Sequence, residues 1–119
     1  MIRLRTLSLV MLTTCCLGLT MQASAHHGWS GYQSELLKVN GVIEQSNYEN
    51  PHGSIQLKTT DKAWHVILAP TSRMVARGLT AEMLKTGVTV TVEGYQNTSD
   101  PKEMRAERIT VDGKTVELR

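Results

Sequence analysis

Four histidines are the side chains of this sequence best suited to chemistry, and two of them are adjacent. His26 and His27 directly follow Ala23-Ser24-Ala25, whereas His52 and His65 stand apart further along. After a cut behind that last alanine, His26 would offer its α-amine and its Nδ1 to one metal ion, and another imidazole would supply a third nitrogen. A planar nitrogen set of this kind favours Cu(II), with nickel and zinc as weaker candidates. The residue types therefore predict a metal site of His26, His27 and His52, with His65 as the less favoured ligand.

Residues 1–25 have the layout of a secretory signal peptide, which would provide that cut. A basic start precedes an apolar run from Leu7 to Leu19, and the small residues Ala23 and Ala25 occupy the positions that a signal peptidase recognises. The run is short and interrupted by polar residues, which argues against a membrane span. We therefore predict cleavage between Ala25 and His26, and a periplasmic or secreted mature protein with no membrane contact.

Cleavage would also change the composition of the protein. The whole chain carries 13 Lys and Arg against 11 Asp and Glu, and its formal net charge of +2 disappears with Arg3 and Arg5. A neutral mature chain gives no electrostatic case for binding nucleic acid. Cys15 and Cys16 leave as well, so no disulfide and no thiolate ligand remain. The alternative is a lipoprotein signal that tethers Cys15 to a membrane, although Thr14 is a poor residue before such a cysteine.

The mature sequence divides into an extended arm, residues 26–35, and one small domain, residues 36–119. The arm is rich in Gly and Ser, and Trp29 and Tyr32 can anchor it to the domain surface. Alternation of apolar and polar side chains predicts strands at residues 36–46, 54–60, 63–69, 88–93, 104–111 and 115–118. Helical turns are predicted at residues 71–78, with Thr71 or Ser72 as the N-cap, and at residues 80–85.

This order of elements predicts a mainly β fold, a small five- to six-stranded OB-like barrel with a short helix between strands 3 and 4. A compact sandwich is the alternative. Ala106 and Ile109 do not share one alternation, which indicates a bulge in strand 5. Trp64 is expected in the core, because the chain has no Phe to fill that volume. His52 would lie in the loop between strands 1 and 2, which borders the usual ligand face, and the arm must fold back for His26 to reach it.

Three stretches of the sequence match the pattern of one known family. They are His26-His27-Gly28-Trp29, Asn50-Pro51-His52 and Leu84-Lys85-Thr86-Gly87-Val88-Thr89-Val90-Thr91-Val92-Glu93-Gly94-Tyr95. In this pattern the chain resembles DUF6152, a family of small exported bacterial proteins, from His26 to about Val116. That family usually has Trp four residues before the histidine of the triplet, where this chain has Tyr48. The resemblance implies export and a barrel-like β fold, and it implies no particular activity.

The residues support two functional hypotheses. The first is a periplasmic metal-binding protein that handles copper through the histidines near its mature N-terminus. His27 also permits a competing mode, in which the amine, one deprotonated amide and its imidazole bind Cu(II) or Ni(II) without a folded domain. The second hypothesis is a metal-free periplasmic OB-like module, whose face around Tyr48, His52 and Trp64 binds a small ligand or a partner protein. No nucleophile motif, phosphate loop or carboxylate pair in the sequence predicts an enzyme.

Overall fold

The computed structural model describes residues 29–119, so the predicted signal peptide and both His26 and His27 lie outside the described residues. Within this range the chain forms six β-strands, one short α-helix and one 3-10 turn. The strands are β1 (Leu37–Asn47), β2 (Ser54–Lys58), β3 (Ala63–Ile67), β4 (Thr89–Gln96), β5 (Glu103–Val111) and β6 (Lys114–Glu117). The helix α1 is Thr71–Ala76, and the 3-10 turn is Ala81–Leu84. No helix among residues 29–119 is long and apolar enough to cross a membrane.

The strands form a closed barrel. Their order is β3-β2-β1-β4-β5-β6, and neighbours in this order are antiparallel. A parallel pairing between β3 and β5, in which His65 pairs with Glu103 and Ile67 with Arg105, closes the first five strands into a ring. β6 extends the sheet beyond β5. This is the strand order of the OB fold, so the predicted barrel is confirmed and the sandwich is excluded.

β5 carries a bulge at Glu107. The residues on either side of Glu107 pair with the consecutive residues Glu93 and Gly94 of β4, so Glu107 has no partner in that ladder. The extra residue lets Ala106 and Ile109 both point into the barrel, where each is 0% exposed. The bulge predicted between these two residues is therefore confirmed. β1 also bulges where it pairs with β2.

The barrel interior is apolar, with no buried polar or charged residue within residues 29–119. Trp64 of β3 belongs to this core and is 4% exposed, as predicted. Met74 of α1 packs against it, together with Leu79 and Leu84 from the segment that follows. Burial of these side chains is the main favourable contribution to folding in a domain without disulfides.

α1 begins without the side-chain cap predicted at Thr71 or Ser72. Its N-cap is Pro70, and a residue of the β1–β2 loop supplies the missing acceptor. The Oδ1 of Asn50 accepts hydrogen bonds from the hydroxyl of Thr71 at 2.7 Å and from its amide at 3.4 Å. The prediction was wrong because this acceptor lies 21 residues earlier in the chain. The contact ties the loop that carries His52 to the start of the helix.

Two predicted strands are shorter in the structure. β2 ends at Lys58 because Thr59 and Lys62 form a tight turn, in which the amide of Thr59 donates to the carbonyl of Lys62 at 3.0 Å. β3 ends at Ile67, since the backbone of the next residue turns to Gly53 in the β1–β2 loop.

Candidate functional site

The arm is folded into a turn and fastened to the end of β4. The amide of Tyr32 donates to the carbonyl of Trp29 at 3.3 Å, which reverses the chain between these two residues. Tyr32 pairs with Asn97 in an isolated bridge, and the amide of Gln33 donates to the carbonyl of Gln96 at 2.8 Å. The described part of the arm is therefore fixed to the barrel.

Trp29 is the main side-chain anchor of the arm. Its ring centroid lies 4.8 Å from the guanidinium carbon of Arg105 and 4.7 Å from that of Arg119. The ring also meets Tyr95 edge-on at 5.6 Å and Tyr32 at 6.4 Å. Each cation–π contact contributes about 0.5–1 kcal/mol at an exposed site and more where water is excluded. Burial lowers the pKa of Arg105, as expected for a guanidinium withdrawn from water. The predicted anchoring of the arm by Trp29 and Tyr32 is confirmed.

A carboxylate on the closing strand holds the second aromatic side chain of the arm. The hydroxyl of Tyr32 donates to Oε2 of Glu103 at 2.8 Å, and Nδ2 of Asn97 donates to the same oxygen at 2.7 Å. Burial raises the pKa of Tyr32, and the hydrogen bond to Glu103 raises it further. Because Glu103 pairs with His65, the arm is fastened beside the strand that carries this histidine.

His65 has a hydrogen-bond partner of its own. It is half-buried on β3, and its Nδ1 lies 2.9 Å from Nε2 of Gln56 on β2. An amide nitrogen only donates, so Nδ1 accepts, and the neutral ring then carries its proton on Nε2. Metal ligation through Nε2 would require the amide of Gln56 to turn over and present its oxygen. The arrangement favours a hydrogen-bonded wall position for His65, and its role as a ligand stays a prediction.

The loop that carries His52 is held on both sides of this residue. The amide of Gly53 donates to the carbonyl of Ala69 at 2.8 Å, and its carbonyl accepts from the amide of Leu68 at 2.9 Å. On the other side, Asn50 bonds to the start of α1. The Nδ1 of His52 is nevertheless buried, and no residue within 29–119 forms a hydrogen bond to it. Hydrogen bonds thus hold the loop on both sides of a buried imidazole nitrogen that has no hydrogen-bond partner in the described part of the chain.

One row of register partners connects the arm with this loop. Each residue in the row pairs with the next on the neighbouring strand: Ser54 of β2, Ile67 of β3, Arg105 of β5 and Tyr95 of β4. Trp29 packs on the last two of these residues, and His52 precedes the first by two positions. Adjacent strands are about 4.8 Å apart, so Arg105 and Ser54 are separated by roughly 10 Å. The described end of the arm therefore packs two strands away from β2, the strand that follows the His52 loop.

No three His, Cys, Asp or Glu side chains within residues 29–119 are grouped so that they could hold a metal ion. His26 and His27, the other two predicted ligands, lie outside the described residues. The predicted four-histidine set stays a prediction for this reason. The face predicted around Tyr48, His52 and Trp64 is not formed in that way, because Trp64 points into the core.

The residues that hold the arm were missed by the sequence interpretation. The local sequence is typical of solvent-exposed charged residues at Glu103, Arg105 and Arg119, and nothing in it links them to the arm. Only the β3–β5 closure and the path of the C-terminal residues bring them beside Trp29 and Tyr32.

The fold and the site define a small OB-like β-barrel with an N-terminal arm strapped to its outer surface. A family model described as a family of unknown function, DUF6152, matches residues 15–105. The chain therefore belongs to this family, as the histidine and Asn-Pro-His motifs indicated. A comparison with curated proteins gives no match.

Proposed function

We propose that the protein is exported and binds one Cu(II) ion at a site formed jointly by its new N-terminus and the barrel. Cleavage after Ala25 frees the α-amine of His26, which chelates the ion together with its own Nδ1. His52 supplies the third nitrogen. An amine and two imidazoles in a planar arrangement suit Cu(II) better than zinc, and nickel is the next candidate.

The unpartnered Nδ1 of His52 is the observation that carries this proposal. The large majority of buried side-chain polar atoms in proteins have a hydrogen-bond partner, and a buried atom without one costs about 1–3 kcal/mol. Hydrogen bonds of Asn50 and Gly53 hold the loop backbone on both sides of His52. A bond from Nδ1 to a metal ion would offset the penalty and would use the stiffness of the loop.

The anchored arm supports the same proposal. A tail without contacts to the barrel would allow Cu(II) binding only by the N-terminal peptide itself. Trp29, three positions after His26 in the sequence, instead packs on Arg105 and Tyr95 of the barrel. The competing mode of Cu(II) binding, through the amine, one amide and the imidazole of His27, is available to any peptide with this N-terminus.

The test compares Cu(II) dissociation constants, measured by competition with a chelator, for the mature chain and three variants. We expect His52→Ala to weaken binding about tenfold or more, and an additional glycine before His26 to weaken it further, because the chelating amine is displaced. His65→Ala is the matched control, since it removes an imidazole that already bonds to Gln56, and we expect little change. Affinity equal to that of a short peptide with the same terminus, unaffected by His52→Ala, would contradict the proposal.

The second candidate function is a metal-free binding module. A cleft of about 300 Å³ beside the arm favours it, lined by Trp29, Tyr32, Gln33, Ser34, Tyr95 and Arg119. Aromatic rings, one of them covered by a guanidinium, suit a small ligand that is both planar and anionic. A ligand that purifies with the protein and remains bound after treatment with a chelator and after loss of His26 and His27 would favour this function over copper binding.

A further inference from the structure

We infer that the first half of β1 is a self-association surface, at which two copies of this chain pair antiparallel along their free strand edges. The pairing is centred on Val39 and uses the backbones of Lys38 and Asn40. It also covers the exposed side chains of Leu36 and Val42. None of these residues belongs to the proposed copper site, so the inference and the proposed function are tested independently.

One side of β1 has no neighbouring strand over residues 37–41. β2 pairs with β1 only from Val42 onward, whereas β4 pairs with the whole first half. The amide and the carbonyl of Ile43 bond to the two residues before β4, at 2.9 and 2.7 Å, and therefore face that strand. Hydrogen-bonded positions alternate along an antiparallel pair, so the backbone groups of Lys38 and Asn40 face away from β4. No residue in the described part of the chain bonds to them, and they form an edge that can pair.

The sequence of this edge is complementary to itself in one register. With Val39 opposite Val39 of the second copy, Lys38 faces Asn40 in both halves of the pairing, so every free amide and carbonyl finds a partner. A pairing centred on Lys38 would instead set two ammonium groups opposite each other, which is unfavourable. The side chain of Asn40 leaves the edge open, because its Oδ1 accepts from the hydroxyl of Thr91 on β4 at 2.6 Å. Charge therefore favours the register centred on Val39.

Two of the three exposed large hydrophobic side chains within residues 29–119 flank this edge. Leu36 is 43% exposed and Val42 is 41% exposed. Both lie three positions from Val39, so the same register sets Leu36 of one copy against Val42 of the other. Beside Val42, a groove of about 600 Å³ whose walls include Lys58 and Thr89 offers space for the leucine side chain. The register that satisfies the backbone therefore also removes apolar surface from water.

The edge of β6 shows how this protein covers a strand edge that does not pair. The amide of Leu118 bonds back to β5, so the carbonyl of Glu117 points outward. Nη1 of Arg77 donates to that carbonyl at 2.7 Å and places a charged side chain on the edge. Charged side chains of this kind keep edge strands from pairing. No such contact within the described chain covers the backbone of Lys38 or Asn40, which favours β1 as the edge that pairs.

The experiment measures the mass of the mature chain by sedimentation equilibrium, with a chelator present so that no metal ion bridges two copies. The contact is small, of the class that buries less than about 1,200 Å², and such interfaces are weak. We therefore expect the mass to rise reversibly toward twice that of one chain between roughly 10 μM and 1 mM protein.

Two variants remove different parts of the contact. Asn40→Pro deletes an amide that no described residue uses, and it should abolish the dimer, whereas proline itself is tolerated on edge strands. Val42→Lys should weaken dimerisation about tenfold or more, because its apolar contact with Leu36 is lost twice in each dimer. Val75→Lys is the matched control, since it changes the third exposed apolar side chain, on α1, and should leave the mass unchanged. Circular dichroism checks that each variant folds.

Val39→Cys tests the register. In a non-hydrogen-bonded antiparallel pair the two Cα atoms lie about 4.5 Å apart, within the range of about 4.4–6.8 Å that a disulfide spans. The mature chain has no other cysteine. With oxidised glutathione, Val39→Cys should form a covalent dimer. Ser46→Cys is the control and should not, because it lies on the part of β1 that pairs with β2.

Loss of the dimer in Asn40→Pro and Val42→Lys, but not in Val75→Lys, would support the inference. A single-chain mass at every concentration would overturn it. A dimer that survives Asn40→Pro, or one that gives no covalent dimer with Val39→Cys, would also overturn it, because the contact would then lie elsewhere. If Asn40→Pro does not fold, Val42→Lys decides in its place.

Discussion

The hydroxyl of Tyr32 donates a 2.8 Å hydrogen bond to the carboxylate of Glu103, and this bond joins the N-terminal arm to the seam that closes the barrel. Glu103 is the first residue of β5 and pairs with His65 of β3 in the only parallel ladder within residues 29–119. The arm therefore adds a contact where β3 and β5 close the barrel through only three residue pairs.

Tyr32→Phe is expected to lower the free energy of unfolding by about 1 kcal/mol. A hydrogen bond to a charged group contributes roughly 1.5–3 kcal/mol when buried, and Tyr32 is only half-buried, so water screens part of that value. Urea unfolding followed by circular dichroism measures the change. Tyr95→Phe is the control, because it removes a hydroxyl from the same aromatic cluster and leaves the bond to Glu103 intact. Equal losses in the two variants would argue against a special role for this bond.

Stability is expected to fall with pH above about 10, the ordinary pKa of tyrosine. Burial and the bond to Glu103 raise the pKa of Tyr32 in the folded state, so the unfolded chain releases this proton first. Between the unfolded and the folded pKa the folded state binds more protons, and its stability therefore decreases as pH rises. Urea midpoints from pH 9 to 11 test this, and Tyr32→Phe should flatten the decline. A slope unchanged in Tyr32→Phe would contradict the assignment to this residue.

His52→Leu is expected to leave the metal-free protein as stable as before or to stabilise it by about 1 kcal/mol. The substitution removes a buried nitrogen that has no hydrogen-bond partner and places an apolar side chain in the loop instead. His65→Leu is the matched comparison and should destabilise, because it leaves the amide of Gln56 without its bond. Thermal unfolding in the presence of a chelator distinguishes the two. A clear loss in His52→Leu would mean that the ring has a structural role.

Cu(II) at one hundred times its dissociation constant is expected to stabilise the mature protein by about 2.7 kcal/mol. This holds only if the ion binds the folded chain and not the unfolded one. The competing mode at His27 needs no fold and would bind both states, so it would give little stabilisation. Thermal unfolding with and without Cu(II), repeated with His52→Ala, measures the difference. Stabilisation that survives in His52→Ala would place the ion elsewhere.

Gly94→Ala is expected to destabilise the barrel by about 1–3 kcal/mol. A Cβ at this position would collide with the backbone carbonyl of Arg105 on the neighbouring strand, next to the bulge at Glu107. Backbone on both sides leaves little room for adjustment. Gly31→Ala is the control, since a Cβ there meets nothing within 4 Å. Chemical unfolding of the two variants checks the contrast, and similar stabilities would show that the strands can separate at Gly94.

The barrel was predictable because its signals are local. The alternation in residues 88–93 and the turn at Asp112-Gly113 define the strands around them. The helical turn predicted at residues 71–78 is present as α1, and the chain leaves it at Gly78 with a positive φ of 81°. Even the bulge in β5 is visible as a break in alternation between Ala106 and Ile109. Such features depend on residues a few positions apart.

The contacts that make the site were not predictable in the same way. Tyr32 and Glu103 are 71 residues apart, and their bond exists only because β5 closes on β3. The loop position of His52 followed from the strand pattern. The absence of a partner for its Nδ1 within residues 29–119 did not, because it depends on how Asn50 bonds to α1 and how Gly53 bonds to the segment after β3.

The contact between Arg119 and Trp29 has a consequence for engineering. It brings Arg119 beside Trp29, the first described residue of the arm, so a short linker can join these two residues. New termini can then open at the exposed hairpin of Asp112 and Gly113. Such a circular permutant would retain the barrel while it lacks a free amine at the arm, and it is a scaffold in which the barrel can be studied apart from chemistry at the terminus.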